Sequence, residues 1–299
     1  MKRVDCPENV ARTYLARRGE WNVPTLLGVV EAPTIRPDGF VLHTLGFDPT
    51  SGLYFDPGAV SFASIPQHPD LDDARAGLGR ILHLLSEFPW VAASDRAVAI
   101  SAILTALIRQ PLRSAPLFAF RAPVMASGKS LLANLVAMMS TGRVASCMTQ
   151  SDSEAEDRKR IFALLMEGAS VACIDHVERE LGGAALCSVL TQETYRDRIL
   201  GRSETAAVPT RTTWMATGNN LILAGDISTR VVPCDLDPKQ ERPDERSFLD
   251  STCTTTRARS MDRANRRTPG LESLASLRRE GGLEGSGRWA NQPSPVFCV

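Results

Sequence analysis

The sequence predicts an α/β protein in which a parallel sheet is sandwiched by helices and preceded by a small β unit and a helical neck. Three observations point there. From Ala115 onward, strand-like and helix-like segments alternate, the order of a parallel sheet covered on both faces. The strand-like runs over residues 117–120 and 170–174 are almost wholly apolar, as strands buried on both sides are. Between them, an apolar strand passes through Ser127-Gly128-Lys129-Ser130 directly into the apolar helix that begins Leu131-Leu132-Ala133-Asn134-Leu135.

Taken in order, residues 1–69 hold the short runs Leu26-Leu27-Gly28-Val29-Val30, Phe40-Val41-Leu42-His43 and Gly52-Leu53-Tyr54-Phe55. Pro37-Asp38-Gly39 and Asp48-Pro49-Thr50-Ser51-Gly52 carry turn chemistry between them, which predicts a small antiparallel β unit. Residues 70–112 read as the neck. Ala74, Leu78, Ile81, Leu82 and Leu85 recur at helical spacing over 71–87, and Ser94-Asp95 caps a second apolar helix over 96–109. Residues 113–248 hold the core. Strands are expected at 117–120, 170–174, 212–216 and 230–236, helices at 129–139, 153–166 and 181–190, and a hairpin across 198–209. Residues 249–299 change character. From Ser251 the chain has eight Arg, no Lys and no sustained period, so a largely disordered, Arg-rich tail is expected, with the abruptness of an incomplete or foreign end.

Composition narrows the function classes. The 299 residues are 43% apolar, enough to fill a large core, and Lys+Arg and Asp+Glu both total 34, so no global basic excess points to nucleic acid and any such contact must be local. The seven cysteines are scattered without a CxxC pair, which argues against a disulfide framework and against zinc and fits a reducing cytoplasm. With no apolar run of membrane-spanning length and a polar start, neither a span nor a signal peptide is expected. His43, His68 and His83 have no partners at ligand spacing.

The strand–loop–helix unit is how a nucleotide phosphate site is written. Backbone N–H groups of Ser127, Gly128, Lys129, Ser130 and Leu131 and the positive end of the helix face phosphates, Lys129 reaches the terminal ones, and the Ser130 hydroxyl completes a Mg²⁺ shell. The implied cofactors are ATP and Mg²⁺. Pro123 stands where the full GxxxxGK[ST] rule has its first Gly, and Ala126 where many such loops have another. Asp175 ends an apolar strand, as a metal-holding carboxylate or as a helix cap. Glu178 is the nearest carboxylate to orient or deprotonate water, or else a solvated first-turn residue. Asn219, at a third strand end, is an amide that holds water or senses a phosphate, or an ordinary turn residue. Arg230, before the last strand, is an arginine finger for a neighbour's site or a surface arginine. Arg196 and Arg198 lie in a basic hairpin that grips single-stranded phosphates or forms an intersubunit salt-bridge surface.

Ala122-Pro123, Gly128-Lys129-Ser130, Ile174-Asp175, Asp197-Arg198-Ile199-Leu200-Gly201, Ala216-Thr217-Gly218-Asn219-Asn220 and Gly225-Asp226 with Arg230 occur in this order. The set resembles the ATPase part of phage- and plasmid-type primase-helicases, P-loop NTPases related to superfamily-three helicases and AAA+ motors. Pro33-Thr34-Ile35-Arg36-Pro37-Asp38-Gly39 and Gly46-Phe47-Asp48-Pro49-Thr50-Ser51-Gly52-Leu53 look like the segment ahead of that motor, and the likeness covers roughly residues 20–248. The resemblance implies ATP, Mg²⁺, a hexameric ring of identical subunits and translocation on single-stranded DNA. It gives Lys129 and Ser130 to phosphate and metal, Asp175 to metal, Asn219 to sensing and Arg230 to action in trans. Where AAA+ enzymes commonly carry Glu after the metal acid, this chain has His176. Two other readings remain open: a nucleotide-binding scaffold without hydrolysis, and a small-molecule phosphotransferase.

Overall fold

The computed structural model describes residues 6–17, 24–58, 60, 62, 65, 66 and 69–239. The Arg-rich segment over residues 249–299 and His68 lie outside the described residues.

The chain opens with helix α1 (Glu8–Leu15) and five short strands, β1 (Gly28–Val30), β2 (Thr34–Ile35), β3 (Val41–Leu42), β4 (Gly46–Asp48) and β5 (Leu53–Phe55). β2 pairs antiparallel with β3 and β4 with β5, but β1 lies parallel to β5. The leading unit is therefore mixed rather than antiparallel throughout. Residues 31–52 form a connection long enough to bring β5 back beside β1 in the same direction, which a parallel pair requires. Val30, Leu42, Leu53 and Phe55 make its small core.

Helix α2 (Leu71–Leu84) starts at a capping box, with Asp70 accepting from the Asp72 and Asp73 N–H groups and Asp73 accepting from the Asp70 N–H. Helix α3 (Ala93–Leu107) begins earlier than the sequence suggests. Asp95 lies inside its first turn and reaches back to the Ala92 N–H at 2.8 Å, so the carboxylate caps from within instead of preceding the helix. Thr34 Oγ1 donates to the Leu107 carbonyl at 2.8 Å and ties the β unit to the end of α3.

The core follows as β6 (Leu117–Ala122), α4 (Lys129–Thr141), β7 (Ser146–Thr149), α5 (Glu154–Met166), β8 (Val171–Asp175), α6 (Ala184–Thr191), β9 (Thr194–Arg198), β10 (Thr205–Pro209), β11 (Thr213–Asn219), a 3₁₀ turn (Gly225–Arg230) and β12 (Val231–Asp235). Five parallel strands form one sheet in the order β12-β6-β11-β8-β7. β7, a short edge strand with a polar residue at each end, gives no apolar run and is absent from the sequence expectation.

Alternation along the strands divides the interior into two cores. Phe118, Phe120, Val171, Cys173 and Met215 face one side, where they pack with Ala99 and Ile103 of α3 and Leu132 and Val136 of α4. Leu117, Ala119, Ala172, Ile174, Trp214 and Ala216 face the other, against Ile161 and Leu165 of α5 and Leu186 and Val189 of α6. Each buried large side chain contributes about 1.5–3 kcal/mol, and the two-sided burial explains why these strands lack polar alternation. β6 lies between β12 and β11, while α4 carries the chain from β6 to the far edge at β7. Connections that diverge in this way leave a crevice at the carboxyl ends of the strands.

Candidate functional site

Three strand ends meet at that carboxyl edge. The loop after β6 leaves at Pro123 and enters α4 at Lys129 through Gly128, whose φ of 95° is left-handed. A Cβ on Gly128 would come within 3.5 Å of the Phe88 ring. Ala126 holds φ 58°, a conformation that costs a residue with a Cβ about 1–2 kcal/mol. The loop therefore keeps a left-handed backbone where the sequence offers no Gly.

Inside the loop, Ser127 Oγ and Lys129 Nζ both donate to the Val124 carbonyl, at 2.6 and 3.0 Å. Lys129 is 9% exposed. Burial depresses its ammonium pKa, and the charge of Asp175 pulls it partly back. Ser130, the next residue, donates from Oγ to Asp175 Oδ1 at 3.1 Å and so joins the start of α4 to the end of β8. Thr217 on β11 donates a short hydrogen bond to the same Asp175 oxygen. The Thr217 carbonyl accepts the Val177 N–H at 2.8 Å, which pins the chain leaving β8 against β11. Asn219, exposed, is the strand partner of Ala122, and the Asn220 N–H donates to the Ala122 carbonyl at 3.1 Å. Lys129, Ser130, Asp175 and Asn219 thus share one edge, and Leu131 lies in the first turn of α4 beside them.

Thr217 is the member that residue reasoning misses, because a threonine inside an apolar strand looks like ordinary β propensity. The available signal was its place two residues before Asn219, on the strand adjacent to β8. Glu178 lies exposed in the loop between β8 and α6, ahead of the helix rather than in its first turn. His176, exposed, takes φ 59° immediately after Asp175. Among the described residues, no group of three or more His, Cys, Asp and Glu side chains is placed to hold a metal ion, and no helix is long and apolar enough to cross a membrane.

No protein-family model matches the chain, and a comparison with the curated proteins gives no match either. Among solved structures, the chain is similar to the NrS-1 C-terminal region, at TM-score 0.46 and 14% identity, over 83% of this chain and 55% of that one. It is also similar to JCV helicase, at TM-score 0.39 and 12% identity, over 63% of this chain and 51% of that one. The chain spans about half the length of these solved chains.

The remaining candidates lie away from the convergent edge. Arg230 ends the 3₁₀ turn, with Nη1 on the Asp226 carbonyl at 2.6 Å. Val231, which follows it, is the register partner of Leu117 at the start of β6, whereas the loop leaves β6 after Ala122. Five residues at about 3.3 Å each place Arg230 roughly 16 Å from the Lys129 edge, at the amino ends of the strands. It does not reach the Lys129 edge.

Arg196 and Arg198 occupy the exposed face of β9, which pairs antiparallel with β10. The hairpin starts at Thr194, earlier than the sequence suggests, because Tyr195 and Asp197 alternate inward. Asp197 accepts both arms of Arg158 on α5, at 2.7 and 2.6 Å, and these bonds hold its carboxyl below the usual carboxylate range against the opposing effect of burial. The hairpin is therefore fixed to the core by its inner face while the two arginines face outward. At the tip, Leu200 is 80% exposed. Its base is held by Arg109, 3% exposed, which donates to the Thr210, Thr212 and Leu112 carbonyls at 2.6, 3.1 and 2.7 Å. Burial first, and the Arg211 charge second, lower the Arg109 pKa to about 10, so it remains a cation at neutral pH.

Proposed function

We propose that this chain is the ATPase module of a helicase or translocase that works on single-stranded DNA during replication of a phage or plasmid. The observation that most supports this reading is one hydrogen bond. Ser130 Oγ to Asp175 Oδ1, at 3.1 Å, links the phosphate-loop helix to a strand-end carboxylate beside a nearly buried lysine.

The residues present fit ATP with Mg²⁺. The Lys129 ammonium has three donors, and its hydrogen bond among the described residues goes to the Val124 carbonyl alone. A desolvated cation so placed is compensated by an anion. The amino end of α4 carries no side-chain cap, so its backbone N–H groups are available to the same anion. When bound, Mg·ATP supplies the phosphoryl group that passes to water. Lys129 and the N–H groups from Ser127 to Leu131 neutralise and orient phosphate oxygens. Ser130 and Asp175 present a hydroxyl and a carboxylate to the cation, a protein share small enough to suit an ion that keeps most of its shell for phosphate and water oxygens. Thr217 fixes the rotamer of Asp175. Asn219 positions the attacking water, and Glu178 accepts its proton. Arg230, too far from its own site, serves the site of a neighbour in a hexameric ring. Arg196 and Arg198 grip the phosphates of the strand.

Phosphate release measured with and without single-stranded DNA tests this reading. The expected result is turnover that DNA stimulates and that Lys129→Ala lowers at least about 100-fold, the loss of a principal electrostatic contact to the transition state. Nucleotide binding with no turnover that Lys129→Ala removes would make the protein a scaffold. Turnover by a monomer, dependent on a small acceptor and indifferent to DNA, would make it a phosphotransferase.

A further inference from the structure

Cys147 and Cys173 face each other across the edge of the core sheet. Cys147 sits on the edge strand β7 and is exposed, whereas Cys173 on β8 is 1% exposed beneath α4. They are register partners in the β7–β8 ladder. Register partners of a parallel pair point to the same face, and their strands run about 4.8 Å apart. That separation lies within the roughly 4.4–6.8 Å between Cα atoms that a disulfide bridges. Cys147 Sγ donates to the Ala145 carbonyl at 3.4 Å. The other cysteines of the described residues stand on separate elements: Cys6 ahead of α1, Cys187 on α6 and Cys234 on β12.

We propose that Cys147 and Cys173 form a reversible intramolecular disulfide when the protein meets a peroxide, with Cys147 as the attacking thiol and Cys173 as the resolving one. The sulfur of Cys147 attacks one peroxide oxygen and the O–O bond breaks. Cys147 becomes a sulfenic acid, and the departing hydroxide takes up the thiol proton as water. The sulfur of Cys173 then attacks the sulfur of Cys147, the S–O bond breaks, and a second water carries away the proton of Cys173. Two thiols and one hydrogen peroxide give one disulfide and two waters. Each sulfur is oxidised by one electron and the peroxide is reduced by two. Exposure sets the order, since an oxidant meets Cys147 at the sheet edge and cannot meet Cys173 under the helix. The bridge closes two residues before Thr149 and Asp175, which are themselves register partners. This site stands on strand geometry and does not depend on the nucleotide reading.

Peptide mapping of the whole chain under non-reducing conditions, after mild hydrogen peroxide, tests the proposal. The expected product is a peptide joining Cys147 to Cys173 that dithiothreitol releases. Before oxidation, Cys147 should alkylate at least roughly tenfold faster than Cys173, as their exposures require. In Cys173→Ser, Cys147 should stop at a sulfenic acid trapped by dimedone, and in Cys147→Ser the Cys173 thiol should stay reduced. The proposal is overturned if wild-type Cys147 accumulates sulfinic acid while Cys173 remains a thiol. It is equally overturned if the bridge that forms joins either residue to Cys253 or Cys298.

Discussion

At the scale of single residues, the candidate site depends on close backbone contact that admits no extra atom. Gly218 lies between Thr217 and Asn219, and a Cβ placed there would stand 2.6 Å from the Val177 carbonyl. Gly218→Ala must push the chain leaving β8 away from β11, and is expected to cost about 1–3 kcal/mol in chemical denaturation. It should also weaken nucleotide binding, measured by calorimetry, because the same displacement moves Asp175 from Thr217. Asp197 gives a second test, one of pH. Its carboxyl is bound by Arg158, so its folded pKa is below the ordinary value of about 3.9. The stability this pair contributes is fully present above that ordinary value and is lost as pH falls through the lower folded one. Arg158 is half-exposed, with 55% of its side chain open to solvent, so screening keeps the contribution small. Asp197→Asn should lower unfolding free energy modestly at pH 5–7, and the deficit should shrink below about pH 4.

At the scale of elements, the proposed reading assigns grip to the hairpin and turnover to the strand ends. Tyr195 and Asp197 hold β9 to the core while Arg196 and Arg198 point outward, so replacing both outward arginines by Ala leaves the fold untouched. The expected outcome is unchanged basal ATP turnover with DNA stimulation reduced about tenfold, and a shallower salt dependence of DNA binding, as fits the loss of phosphate contacts. Loss of basal turnover in that variant would show the hairpin to be part of the site rather than of the strand contact. The elements that the sequence makes legible are those whose side chains have one environment. β6, β8 and β11 read as strands because both faces are buried, and Ser127-Gly128-Lys129-Ser130 reads as the passage from strand to helix because residue type and flanking elements agree. β7 does not, since an edge strand of Ser146, Cys147, Met148 and Thr149 has no pattern of its own and exists through its ladder with β8. β1 beside β5 is equally hidden, because register between distant segments is a tertiary property. Arg109 illustrates the remaining gap: at the end of an apolar helix it looks like a solvated last-turn residue, and only the fold brings three carbonyls around it.

At the scale of the whole molecule, the two ends of the sheet carry different chemistry. Lys129, Ser130, Asp175 and Asn219 occupy the carboxyl edge and Arg230 the amino edge. Complementation tests whether those edges meet between protomers. Arg230→Ala and Lys129→Ala should each be inactive alone. Mixed, they should recover measurable turnover, because some contacts then pair an intact Lys129 with an intact Arg230. No recovery on mixing, with both variants folded and assembled, would remove Arg230 from catalysis. The opposed placement also limits the symmetry of any assembly. Where a contact brings Arg230 to another copy's Lys129 through two separate patches, each subunit keeps one unmatched patch of each kind until the series returns to its start. Such a contact is heterologous, and depending on the rotation it imposes the subunits close into a cyclic point group or continue as an open helical filament, whereas a twofold pair serves both edges only where one patch spans them, Arg230 of each copy meeting Lys129 of the other.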